Sequence, residues 1–174
     1  MLKYFIILPW LSVMFQPLNA KVDPPNYDFS VNTLEDFYPG KLQTELDKKY
    51  GSPEVMSTTG AVKTLKYNVS HLRYKFPVLV HVSSGKVDDM FARLPSYFLH
   101  DVFFQSLVNR LGKQDVYKKV GEEAVYQWNK DPMKYVYSAA CTITCFPIFF
   151  AVHTGSWTPR PILEQMKRAV PKQK

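Results

Sequence analysis

The sequence is short of cysteine. Among 174 residues there are two, Cys141 and Cys145. A closed zinc site needs four ligands, and thioredoxin-type redox pairs space their cysteines two apart, not three. The chain also lacks G-x-S-x-G, a phosphate-cradling glycine loop and H-E-x-x-H. Ser96 and Ser156 have no elbow glycines, and the carboxylate pairs Asp88-Asp89 and Glu122-Glu123 point to opposite faces if they lie in strands. His100 adjoins Asp101, but adjacency in sequence does not make an acid–base pair. His81 and His153 read as structural. These absences argue against an enzyme, and neither a cofactor nor a metal is expected.

Acidic residues are also in deficit, giving a formal net charge of +7 and a pI near 9.3. The lysines are scattered except in the tail Lys167, Arg168, Lys172, Lys174. No nucleic-acid motif accompanies them, so nucleic acid is not an expected partner. The tail allows peripheral contact with an anionic membrane surface.

MLKYFIILPWLSVMFQPLNA has a positive start at Lys3, an apolar run from Tyr4 to Phe15 and a small residue at Ala20. That is the pattern of a secretory signal peptide over residues 1–20, so export to a periplasm or secretion is expected. An uncleaved anchor is the alternative. No cysteine near the cleavage point supports a bacterial lipid anchor. Asn68-Val69-Ser70 is a glycosylation sequon in a eukaryotic host. Residues 21–38, rich in Pro, Asn and Asp, read as an extended arm.

The chain then matches itself. Lys48–Asn68 aligns with Asn109–Asn129 at a constant separation of 61 residues (112 − 51), pairing Gly51 with Gly112, Gly60 with Gly121 and Tyr67 with Trp128. FPVLVHVSSG (Phe76–Gly85) aligns with FPIFFAVHTG (Phe146–Gly155), now 70 apart (146 − 76). About nine residues containing CTITC therefore read as an insertion in the second copy. Each copy opens on an amphipathic helix, Lys41–Tyr50 or Tyr97–Leu111, which ends at a glycine suited to the left-handed conformation. Strands follow at Val62–Asn68, Phe76–Val82 and Lys86–Leu94, and at Glu123–Asn129 and Phe146–Val152. Pro161–Val170 reads as a closing helix. The expected fold is α+β: two tandem repeats, 39–95 and 96–174, each a helix on a small antiparallel sheet.

PGKLQTELDKKYGSPEV (Pro39–Val55) is similar to the opening of the SmpA/OmlA module, the BamE-like fold, with Gly40, Gly51 and Pro53 at the pattern positions. The tandem arrangement resembles that of the β-lactamase inhibitor protein. In the second copy Asp101 and Gln114 replace the first Gly and the Pro. The resemblance implies an envelope or secreted protein that binds other proteins and does no chemistry.

The uncharged run Tyr135–Val152 is long enough to span a bilayer. Its second half aligns with the polar-flanked Phe76–Gly85 stretch, which favours a buried strand. In an ideal strand Cys141 and Cys145 lie about 13 Å apart, so a disulfide requires a turn inside CTITC. A local disulfide, two buried thiols, and a metal or redox role all stay open. Phe98, Leu99, Val102 and Phe103 form a helical stripe suited to a core. Phe91, Arg93, Tyr97, Phe104 and Arg110 are the aromatic and arginine candidates for docking a partner protein, expected to be a component of the cell envelope. A non-enzymatic protein-binding module is the reading preferred. A membrane protein anchored by residues 135–155 and an unrecognised thiol or hydrolytic enzyme are the alternatives.

Overall fold

A computed structural model describes residues 31–71, 74–96 and 98–154. The signal segment, the basic tail, the closing helix at Pro161–Val170 and Tyr97 lie outside them.

The described chain runs α1 (Asn32–Glu35), α2 (Gln43–Tyr50), β1 (Glu54–Thr59), β2 (Val62–His71), β3 (Tyr74–Ser83), β4 (Lys86–Leu94), α3 (His100–Leu111), β5 (Val116–Val120), β6 (Glu123–Lys130), β7 (Met133–Cys141) and β8 (Cys145–Thr154). All eight strands join one antiparallel sheet in the order β1-β2-β3-β4-β8-β7-β6-β5. Two hairpin meanders meet at the β4–β8 pairing, where Met90 faces Val152 and Ala92 faces Phe150.

This corrects the expected fold. The chain is mostly β and forms a single eight-stranded sheet with three short helices. It is not two helix-plus-small-sheet repeats, and the BamE-like and β-lactamase-inhibitor-like reading falls with them. β4 and β8 are buried central strands, so neither meander ends in a free edge at the seam. The expected insertion is also corrected, because residues 133–141 are a full strand. FPVLVHV lies in the third strand of its meander and FPIFFAV in the fourth, so their likeness does not reflect equivalent places. The arm is not extended where it is described: α1 forms there, and Val31, Leu34 and Phe37 are buried.

One sheet face carries the main core. Opposed residues of antiparallel strands share a face. The row Leu65–Val80–Met90–Val152–Tyr135–Trp128 therefore lines one side. α2 adds Leu46, and α3 adds Phe103 and Leu107 at i, i+4 spacing. Leu99, placed in the stripe by sequence, precedes the helix and is exposed.

Matched aromatics tie sheet to helices. Tyr67 Oη donates to Asp47 Oδ1 of α2 at 2.6 Å, and Trp128 Nε1 donates to the Gly112 carbonyl after α3 at 2.8 Å. Gly51 and Gly112 end the two helices at φ 83°, ψ 179° and φ 79°, ψ −166°. Positive φ is as expected of glycine, but the ψ values lie in an extended region that glycine almost alone adopts, not in the left-handed helical well.

Residues 135–154 occupy the β7–β8 hairpin. Among the described residues no helix is long and apolar enough to cross a membrane.

Candidate functional site

Among the described residues, every buried helix residue belongs to the core on one side of the sheet, whereas the smaller cluster on the other side is built from strands alone. There Leu79 and Phe91 are buried, with Met56, Phe149 and Ala151 packed against them. Strand register sets what this second face displays. One row runs across all eight strands: Glu54, Lys66, Leu79, Phe91, Ala151, Val136, Gln127 and Val116. Its middle is apolar, the charged Glu54 and Lys66 stand at one end, and Gln127 and the exposed Val116 at the other. Arg93 lies on the same face opposite Phe149, with its guanidinium 5.3 Å from the Phe146 ring centroid. Lys66 pairs with Glu54.

A second row, two residues along the strands, is polar. It passes through Ser57, Thr64, His81, Asp89, His153, Lys134 and Asn129. Thr64, His81, Asp89 and His153 are buried. Ser57 Oγ donates to Thr64 Oγ1 at 3.0 Å. His81 Nδ1 approaches Asp89 Oδ1 to 2.7 Å, but off the line a hydrogen bond needs, so neither atom is satisfied by the other. His153 Nδ1 donates to the Thr154 carbonyl at 2.9 Å. Burial holds the His153 imidazole below its ordinary pKa, with the Lys134 charge adding to it against the Thr154 carbonyl and Asp89.

A third group lies at the tip of the β7–β8 hairpin, on the helix side. Cys141 and Cys145 face each other in register with Cα atoms 3.9 Å apart and are joined as a disulfide. Thr142, Ile143 and Thr144 supply the turn that an ideal strand could not, and Ile143 is fully exposed. Beside the disulfide stands His100, the first residue of α3. Its Nδ1 lies 2.8 Å from Tyr137 Oη, and its ring stacks on Phe104 and Tyr137. Burial lowers the His100 pKa, with Asp101 opposing.

The docking candidates do not converge. Phe91 and Arg93 lie together on the helix-free face, but Phe91 is buried and Arg93 half-buried. Phe104 is on the other side, half-buried with ring centroids 4.5 Å from Tyr126 and 6.1 Å from Trp128. Arg110 is held within the chain: Nη1 donates to Glu35 Oε1 at 2.7 Å and Nη2 to Asn32 Oδ1, so α3 grips α1. Arg110 and Glu35 line a cleft of about 320 Å³ with Tyr38, Leu107 and Tyr135. Sequence reasoning missed Leu79, Phe149 and the His81–Asp89–His153 row. Only strand register aligns them, and no local pattern carries it.

No family model matches the chain, and no curated protein matches it. Among solved structures, the chain is similar to YjgB, a DUF4309 family protein from Bacillus subtilis, at 10% identity and a TM-score of 0.43, over 66% of this chain and 78% of that one. It is also similar to a cysteine-rich secretory protein from Staphylococcus aureus, at 13% identity and a TM-score of 0.40, over 74% of this chain and 47% of that one. Likenesses this distant carry no function across.

Proposed function

We propose that the protein is a non-enzymatic, exported protein-binding module that engages its partner through the helix-free face of the sheet. The observation that carries this reading is the composition of that face: half-buried Phe149 and Ala151 lie beside buried Leu79 and Phe91 across β3, β4 and β8, bordered by half-buried and exposed charges. Apolar centres with polar rims are how protein interfaces are built. The rim is rich in cations. Lys66, Lys75, Arg93, Lys118 and Lys134 outnumber Glu54, Asp89 and Glu123 on this side, in keeping with the chain's net charge of +7. The partner accordingly offers an acidic surface with an apolar centre. Arg93 is the expected anchor, since a half-buried arginine against an aromatic ring loses little further freedom on binding. Export rests on the signal-like N-terminus and agrees with the disulfide.

The test is affinity capture from the exported fraction of the native host with three proteins: the wild type, Arg93→Glu with Lys134→Glu, and Lys49→Glu on the helix side. The reading requires a partner that the double reversal loses and Lys49→Glu keeps. A partner equally retained by the double reversal, or no stable partner at all, counts against it.

A further inference from the structure

The tip of the β7–β8 hairpin holds a second chemistry, independent of the docking face. Among the described residues, one group of histidine, cysteine and carboxylate side chains has its potential ligand atoms within 4.8 Å of one another: His100, Cys141 and Cys145. The two sulfurs are bonded to each other, which leaves neither able to bind a cation. A thiolate, not a disulfide, is a metal ligand. We propose that reduction of the Cys141–Cys145 disulfide converts this tip into a three-ligand site for one thiophilic metal ion of the zinc class, so that the redox state of the hairpin gates metal binding.

The chemistry balances. A dithiol reductant attacks one sulfur, the S–S bond breaks, and the reductant's second thiol closes its own disulfide. Two electrons and two protons end on Cys141 and Cys145. The metal then displaces both thiol protons. Ligand atoms around a tetrahedral zinc with two sulfurs and one nitrogen stand roughly 3.5–3.8 Å apart, within the spread already set by the fold. Two thiolates and one imidazole suit zinc and exclude hard cations such as magnesium.

The surroundings fit the assignment. His100 Nδ1 lies against Tyr137 Oη, which orients the ring, and Nε2, 3.9 Å from the exposed Asp101 carboxylate, makes no hydrogen bond to it. Metal-binding histidines are commonly held this way through their second nitrogen. Thr142, Ile143 and Thr144 are exposed, so the tip is open to reductant and ion. The fourth position falls to water or an outside ligand, as in three-ligand zinc sites that stay open. Tyr137 is the positioning residue.

The test uses the full chain, reduced with a phosphine, desalted under argon and titrated with Co²⁺, which reports thiolate ligation by sulfur-to-metal charge-transfer absorption. The expected result is a band that saturates at one equivalent, is displaced by Zn²⁺ and is absent from the oxidised protein. His100→Gln should weaken binding at least tenfold, and Tyr137→Phe by about tenfold, with circular dichroism checking the fold of each. Cys145→Ser, which leaves His100 in place, should lose the saturating band. Reduced protein with two titratable thiols and no band overturns the proposal. So does undiminished affinity in folded His100→Gln or in Cys145→Ser.

Discussion

His81 Nδ1 and Asp89 Oδ1 stand 2.7 Å apart at the centre of the sheet, on adjacent strands, in register and buried. Both are buried where water does not compensate a loss. Removing one of the pair leaves the other buried without its 2.7 Å neighbour, so His81→Leu and Asp89→Leu should each destabilise by about 1–3 kcal/mol. The double variant His81→Leu, Asp89→Leu should recover much of that loss. Urea denaturation of the two single variants and the double closes the cycle. A double variant as unstable as the sum of the singles would show that the two do not interact.

The two meanders depend on large side chains under the helices. Phe103 is fully buried against Phe98, Tyr137 and Phe150. Phe103→Ala is expected to cost about 3–5 kcal/mol. Trp128→Phe keeps most of the volume but removes the donor to the Gly112 carbonyl, and should cost about 1–2 kcal/mol. Denaturant midpoints measure both, and Phe103→Ala should show the larger shift.

A methyl group on the Gly112 Cα would point into open space, so replacing this glycine causes no clash. Its backbone is the obstacle. At φ 79°, ψ −166° a side chain is strained whatever its chemistry, and Gly112→Ala should cost about 1–3 kcal/mol. Asn, which tolerates the left-handed helical well, should give no relief here. A thermal midpoint for Gly112→Asn close to wild type would refute this.

Stability should also follow pH. Burial depresses the His153 and His100 pKa values below the ordinary 6.5. Between the depressed folded value and 6.5 the unfolded chain binds more protons. Stability therefore rises with pH through that window and is fully present above it. Acidification from about pH 7 to 5 should weaken the fold, and His153→Gln should flatten the slope. Below that range a second loss is expected from Asp36. Burial raises its pKa, but bonds from Lys49 and Tyr50 and the charges of Lys49 and Lys41 outweigh it and hold the carboxyl low. Its contribution is present above the unfolded carboxylate pKa and disappears as pH falls through the folded one.

The elements with local signatures were legible. α2 and α3 follow apolar spacing and end at glycines, and β2, β4 and β6 coincide with their sequence runs to within a few residues. β7 was hidden by a false match. β3 and β8 both lie in the sheet interior, so each reads as Phe-Pro followed by an apolar run. Aligning one with the other left MKYVYSAAC looking like an insertion. The single sheet was not legible because the β4–β8 ladder joins residues far apart in the chain and has no local mark. The site was hidden for the same reason. Phe91 and Phe104 are both aromatics near charge in sequence, yet register and helix packing send them to opposite sides of the sheet. Arg110 reads as a free arginine until Glu35 and Asn32 fold beside it.

The order β4-β8 at the middle of the sheet has a consequence for how the chain is made. β4 finishes at Leu94, but its second neighbour is the last described strand, Cys145–Thr154. Throughout synthesis or translocation of the intervening residues, the first meander offers an unpaired edge with an apolar side chain at Phe91. Such edges invite pairing with other chains. The nascent first half is thus the aggregation-prone species, and a holding factor would act on it rather than on the finished protein.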